Sequence, residues 1–452
     1  MKTLKADCVL VSIASNVIVD TCAGPLLQSL SFAPINIVVR LSRACIAIAA
    51  LLTALLITPA VIAQPPDEVR ALWVVAQSLN SASSLVAVVS TARKYGFNTL
   101  LVEVRGHSDS NLIVGKTPRT TGLTLQTSRF DPLKALITSA HAAGLRVHAW
   151  VNVNLVADAN DLPTSRDHIV YRHPEWLMVP RSLAEELGNL EPENPAYLGT
   201  LSRWTRENSD TVDGLYLSPL TAEAASYSAK MLANLVSRYQ LDGVHLDSLY
   251  YPDDTFDYSR SAMNELRTSV KASGLDAKLL KLDPAGQDVL YADHYLEHWA
   301  ALRRSRLTSL LMRLRTTVKQ HQPTVIFSAV LVPDKDDALN LQFQDWRTWL
   351  DARLLDVVCP TAYTQNVELF EKQIAAIRKI ATSSKVWAGI GSHRLSVGQT
   401  INNIEAARRQ RADGVALFSY EDLTDPALHE INYLERIAKE AFRVSAVTPG
   451  PL

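Results

Sequence analysis

The strongest constraint in this sequence is a parity that recurs in four separate aliphatic runs. In "LVEVR", Glu103 and Arg105 alternate with Val102 and Val104. In "VHAWVNVN", His148, Trp150 and Asn152 alternate with Val147, Ala149 and Val151, and in "LDGVHLDSLYYP" His245 and Asp247 alternate with Val244 and Leu246. In "VVCPTAY", Thr361 and Tyr363 follow Cys359 on one parity. Successive side chains of a β-strand point to opposite faces, so each run is a strand with an apolar face and a face of ionisable or aromatic groups. Each polar set falls late in its strand. A fold that gathers the late ends of its strands at one place turns four such faces into one site.

The rest of the chain supplies that fold. "VRALWVVA", "NTLLVEVRG", "LRVHAWVNVN", "LDGVHLD", "TVIFSAVLVP", "DVVCPTAY", "KVWAGIG" and "DGVALFSY" read as eight strands. Helical segments such as "SASSLVAVVSTARKYG", "DPLKALITSAHAAG", "AKMLANLVSRYQ" and "WAALRRSRLTSLLMRLRTTVKQ" alternate with them. The pattern predicts an α/β chain folded as a (β/α)8 TIM barrel, with long insertions after strands 3 and 4, Asn154 to Asp210 and Tyr251 to Tyr295. A doubly wound open sheet is the structural alternative, but no glycine-rich phosphate turn follows the first strand. In a barrel the site lies at the C-terminal ends of the strands, where the polar faces end and both insertions leave.

Ahead of the barrel, Arg40 and Arg43 precede the uncharged run "ACIAIAALLTALLI" and the sequence "TPAVIAQPP". Val61 and Ala63 suit signal-peptide cleavage before Gln64. Residues 1–63 are therefore expected to be a leader with a misannotated extension, translation starting nearer Val38 or Val39. Residues 64–443 would be the barrel and 444–452 a flexible tail. A membrane association is expected only if the leader is uncleaved. Cys8, Cys22 and Cys45 fall within the leader, leaving Cys359 alone, so an exported barrel would rely on its core rather than on an internal disulfide. A net charge of −1 gives no reason to expect nucleic acid as a partner.

Carboxylates among imidazoles, a cation and aromatic rings suit acid–base chemistry on a neutral, hydroxyl-rich substrate. Aromatic rings stack on the apolar faces of sugars, and hydrolysis of a glycosidic bond needs two carboxyl groups flanking it. Asp247 is the expected acid and Glu103 the second carboxylate. Arg105, His148, Asn152 and His245 would orient carboxylates and sugar hydroxyls. Trp150, Tyr250, Tyr251, Trp346, Tyr363 and Trp387 would form a sugar platform. Asp345 and Glu421 are outlying carboxylates. "HYLEH", His294 to His298, matches a short zinc-protease pattern, but it opens a helix where surface histidines need no metal. No metal and no cofactor are expected.

These residues also resemble glycosyl-hydrolase-like family ten, through "RALWVV", "GFNTLLVEVRGHSDS", "HAWVN", "HPEWL", "DGVHLD" followed by "YYP", "QDWRTWL", "VCPTAYT" and "GVALFSYEDL". The resemblance implies a (β/α)8 fold and a bacterial envelope enzyme that cleaves peptidoglycan glycan strands, secreted or periplasmic. It implies site roles for Arg105, His148, Trp150, Asn152, His245, Asp247, Tyr251, Asp345, Trp346 and Tyr363. Glu103 departs from it, standing where many members have glutamine. "EHWAALRR" departs from the usual "DWRR", with Trp299 and Arg303 keeping part of that pattern. The alternative is a barrel that binds glycan without cleaving it, and a third class is a metal-dependent amide or ester hydrolase.

Overall fold

Alternation of side chains across a strand becomes, in a closed sheet, a division between an inside and an outside. The computed structural model describes residues 67–105, 130–274, 288–428 and 432–446 of the chain. The expected leader and residues 447–452 lie outside them. Ten strands are described: β1 (Val69–Val74), β2 (Thr99–Arg105), β3 (Arg146–Asn152), β4 (Leu155–Asp158), β5 (Gly214–Tyr216), β6 (Gly243–Asp247), β7 (Ile326–Leu331), β8 (Val357–Pro360), β9 (Lys385–Ile390) and β10 (Gly414–Leu417). Eight of them close into a parallel barrel in the order β1-β2-β3-β6-β7-β8-β9-β10, and β10 pairs back onto β1. Every strand expected from the sequence is in that barrel.

Outward-facing Leu100, Val102, Val147, Ala149, Val244, Leu246, Phe327, Ala329, Val358 and Ala388 join one large core with the surrounding helices. These are α1 (Ala82–Lys94), α2 (Pro132–Ala142), α3 (Ala222–Arg238), α4 (Leu296–His321), α5 (Val367–Ile380) and α6 (Val397–Arg409). Inward-facing Ala71, Trp73, Leu101, Trp150, Val330, Val357, Cys359, Trp387 and Ala416 form a second, smaller core inside the cylinder. Helix starts follow the local chemistry: Asp131 accepts the Lys134 amide at the start of α2, and Ser396 with Gln399 forms a capping box on α6.

Closure is tied at the bottom by Glu68, which receives Arg70 at 2.8 Å and Arg408 of α6 at 2.7 Å. Burial raises the Glu68 pKa, but the two guanidiniums outweigh it and hold the carboxyl below its usual range. Arg70 also donates to the Val444 carbonyl at 2.8 Å, so the first residue of the expected flexible tail is held against the barrel.

The segment between β3 and β6 is more ordered than a loop. β4 and β5 pair antiparallel, and Val156, Leu177, Leu201, Leu215 and Leu217 bury a small core of their own. Strands of three and four residues are too short to show a period in sequence. The segment after β6 is pinned by Asp257, whose carboxylate accepts the amides of Val179 and Ser259 at 2.9 and 2.8 Å. Arg303 of α4 donates to the Asp254 and Phe256 carbonyls, with its guanidinium 3.7 Å from the Phe343 ring centre. Trp299 and Arg303 are both fully buried. "HYLEH" is split by Tyr295 between two helices, and His298 pairs with Ser269 at 2.9 Å.

Gly243 opens β6 opposite His148, where a Cβ would lie 2.1 Å from the His148 ring nitrogen. The barrel therefore requires a glycine wherever that imidazole turns inward. Gly243→Ala is expected to destabilise the chain by roughly 1–3 kcal/mol through overpacking. Denaturant unfolding checks it, and a midpoint equal to that of the unsubstituted chain would refute the close approach.

Candidate active site

The C-terminal ends of β3, β6, β7, β8 and β10, the segment after β9 and the antiparallel β4–β5 pair surround a cleft of about 660 Å³. Trp150, Asn152, Asp247, Ser248, Tyr250, Tyr363 and Phe418 line it from the barrel, with Asp158 at the end of β4 and Asp213 just before β5. A second hollow of about 430 Å³ shares His393 and Arg394 with it.

The two expected carboxylates flank β3. Glu103 pairs in register with Trp150, and Asn152 with Asp247, so their strands are two spacings apart, about 10 Å, and the two positions are offset by two residues along β3. One side-chain amide bridges the gap. Asn152 Nδ2 donates to Glu103 Oε1 at 3.2 Å, and Asn152 Oδ1 accepts from Ser248 Oγ at 3.0 Å. The Ser248 amide in turn donates to Asp247 Oδ1 at 2.6 Å, and Trp150 Nε1 donates to Asp247 Oδ2 at 3.0 Å. Ser248 sits at φ 51°, a left-handed conformation uncommon for a residue with a side chain. That turn folds its amide back onto Asp247. Glu103 also accepts the Ala76 amide at 3.1 Å and is buried beneath Asn152, below the cleft surface.

An aromatic wall stands beside Asp247. Phe418 lies edge-on to Trp150 at 6.1 Å and tilted against Tyr363 at 6.0 Å. Tyr363 rests over Gly391, where a Cβ would come within 2.9 Å of the ring, and is 39% exposed to the cleft.

Several expected site residues lie elsewhere. His148 and His245 are fully buried under the cleft, and burial pushes both down to about 3, so each is neutral. His245 Nδ1 meets Ser328 Oγ at 2.9 Å, and neither ring has a hydrogen bond to Asp247 or Glu103 among the described contacts. Trp387 packs on His148 at 5.3 Å near the barrel floor. Arg105 leaves the inward face: Glu103 pairs with Trp150 but Arg105 with Val151, and this bulge turns the guanidinium outward over Tyr227, 5.4 Å from its ring centre. Tyr251 is buried edge-on to Phe343, and Trp346 is buried in the outer core. Asp345 caps a short helix by accepting from Thr348 at 3.2 and 2.7 Å. Glu421 accepts the Val75 amide at 3.0 Å, and burial raises its carboxyl.

Tyr250, expected among the aromatic platform residues, lines the cleft, whereas Ser248, Phe418, His393 and Arg394 were not expected at the site. Only Phe418 carried a signal, since it directly continues the last barrel strand. Among the described residues no cluster of three or more His, Cys, Asp or Glu side chains could hold a metal ion.

A closed parallel barrel whose C-terminal mouth carries bridged carboxylates and an aromatic wall belongs to the (β/α)8 class that houses many glycoside hydrolases. Residues 68–414 match the family described as glycosyl hydrolase-like 10, and the chain belongs to that family. The glycosyl hydrolase YngK of Bacillus subtilis is 22% identical over 337 residues, covering 67% of this chain and 55% of that protein. The glycosyl hydrolase DigH of Escherichia coli K12 is 24% identical over 296 residues, covering 60% of this chain and 55% of that protein. The chain thus spans about half the length of these curated relatives. Among solved structures, the PgaB (BpsB) glycoside hydrolase domain of Bordetella bronchiseptica matches with a TM-score of 0.55 at 13% identity, over 82% of this chain and 98% of that one. The β-amylase catalytic domain of Paenibacillus polymyxa matches with a TM-score of 0.56 at 11% identity, over 84% and 99%. At these identities the structural likeness concerns the fold.

The neutral histidines make stability depend on pH. An imidazole held near 3 in the folded chain but near 6.5 in the unfolded one binds protons only after unfolding, so stability falls as pH drops from 6.5 towards 3. Each contributes up to about 1.4 kcal/mol per pH unit in that window. Unfolding free energies of His245→Asn should therefore fall less steeply with acid than those of the unsubstituted chain. Parallel slopes would show that His245 is not buried neutral.

Proposed function

We propose that this chain is an exported glycoside hydrolase that cleaves a bacterial polysaccharide, peptidoglycan glycan strands foremost. Asp247 acts as the acid that assists the leaving oxygen, and Glu103 as base, nucleophile or charge partner. The observation that carries this reading is the bridge through Asn152 and Ser248, which links Glu103 and Asp247 on opposite sides of β3 beside an aromatic wall. Trp150, Phe418 and Tyr363 offer ring faces or edges to a sugar. The hollow beyond Arg394 gives a polymer room to continue past the first cleft. Family membership and the names of the curated relatives support glycosidase chemistry.

One feature favours a glycan-binding barrel without turnover: Glu103 is buried below Asn152, and the cleft surface carries Asp247 without it. The two readings separate in one experiment. Incubation with purified cell-wall glycan should release new reducing ends, and Asp247→Asn should lower turnover by about 10²–10⁴-fold while retention on the polymer stays within a few-fold. Glu103→Gln should also lower turnover strongly. Retention on the polymer without new reducing ends from the unsubstituted chain would establish the binding barrel instead.

Export rests on the basic and apolar stretch before Gln64. Protein recovered from the periplasm or medium should begin at Gln64 on N-terminal sequencing. A membrane-bound form retaining the stretch from Ala44 to Ile57 would contradict cleavage.

A further inference from the structure

We infer that Arg394 is a specificity-determining residue of this cleft: its guanidinium binds a carboxylate carried by the substrate glycan, on a sugar neighbouring the one held at Asp247. The inference deepens the reading given above, naming an acidic sugar as what the site selects, and rests on that reading for the glycan itself.

Arg394 comes to the mouth from the side opposite the acidic groups. It closes the turn Ser392–Arg394 directly after β9. In the closed strand order β9 is the fourth strand from β3 in either direction, so it faces β3 across the barrel. Asp158 and Asp213, at the β4–β5 pair that follows β3, and Asp247, at the end of β6, put the carboxylates of the cleft on the far side. Among the described lining residues Arg394 is the one lysine or arginine. It lines the second hollow as well, so it stands where the two meet.

The turn is held through its backbone, which leaves the side chain uncommitted. The His393 amide donates to the Phe418 carbonyl at 3.1 Å, and Gln365 Nε2 donates to the Arg394 carbonyl at 3.3 Å. The buried Tyr433 hydroxyl lies 3.3 and 3.1 Å from the Ser392 and Leu395 carbonyls. Arg394 itself is exposed, and its guanidinium has no hydrogen bond or ion pair among the described residues. Arginines that hold the fold together are engaged: Arg70 and Arg408 on Glu68, and Arg303 on two carbonyls. The aromatic wall leads to the free one. His393 lies edge-on to Phe418 at 5.3 Å and Phe418 edge-on to Trp150 at 6.1 Å, whose indole nitrogen donates to Asp247. A sugar chain lying along that wall from Asp247 therefore brings a further unit to Arg394. A guanidinium presents a planar, positively charged fork that matches the two oxygens of a carboxylate. The three aspartates repel the same group at the opposite end. Charge alone thus sets which way round an acidic chain enters.

Two forms of one ligand, titrated against the full chain, test this. One is a peptide-free cell-wall oligosaccharide, whose alternate sugars carry a lactyl carboxylate. The other is the same oligosaccharide with those carboxyls reduced to alcohols. The acidic form should bind about five- to tenfold more tightly, a modest factor because water and salt screen an exposed pair, and added salt should shrink the preference. Arg394→Gln should abolish the preference by weakening the acidic form alone. Arg394→Lys, which keeps the charge without the fork, should retain part of it. The thermal midpoint should hold in both variants, since the side chain has no partner to lose. Equal affinity of the unsubstituted chain for the two forms, or binding of neither, overturns the inference, as does a preference that survives Arg394→Gln. New reducing ends without any preference would leave the glycosidase reading standing and this inference refuted. A preference lost in Arg394→Gln, without new reducing ends, would uphold the inference for a barrel that only binds.

Discussion

The mouth of the barrel hangs on one side-chain amide. Asn152 must donate towards β2 and accept from the end of β6 while its own backbone stays in β3. Its Nδ2 reaches both Glu103 and the Arg105 carbonyl, at 3.2 and 3.3 Å, and its oxygen is claimed by Ser248. In a buried setting each of these bonds is stronger than in water, and each partner left unpaired is costly. A shift of one strand against the next would break the set. The barrel's register and the placement of the carboxylates are therefore a single constraint.

Below that level the barrel is built differently. Trp73, Trp387, Leu101 and Cys359 fill the cylinder with apolar volume, and the two imidazoles sit among them uncharged. His148 occupies the space that Gly243 vacates, and His245 leans on Ser328. This floor keeps water from reaching the carboxylates from beneath. The open side of the site is then the cleft, lined by the aromatic wall and by residues at the antiparallel β4–β5 pair.

Parity in the sequence told which face a residue takes, and this was enough for all eight barrel strands and for Glu103, Trp150, Asn152 and Asp247. It does not tell height along the barrel axis. His148, His245 and Trp387 have the right face but sit too low, because height depends on interstrand register, which a single strand does not encode. Parity also fails wherever the backbone departs from a regular strand. The bulge before Arg105 reverses its direction, and the left-handed Ser248 changes the count after Asp247, so Tyr250 enters the cleft and Tyr251 the core. Asp345 and Trp346 lie beyond β7, where no period relates them to the mouth. Asp345 meets the local need for a helix cap instead.

The most direct test is a crystal structure of Asp247→Asn with an oligosaccharide bound. The expected result has a glycosidic oxygen within hydrogen-bonding distance of the substituted side chain, with a sugar ring against Trp150, Phe418 or Tyr363. An oligosaccharide bound away from the barrel mouth, or one whose linkages all lie beyond reach of both position 247 and Glu103, would contradict it.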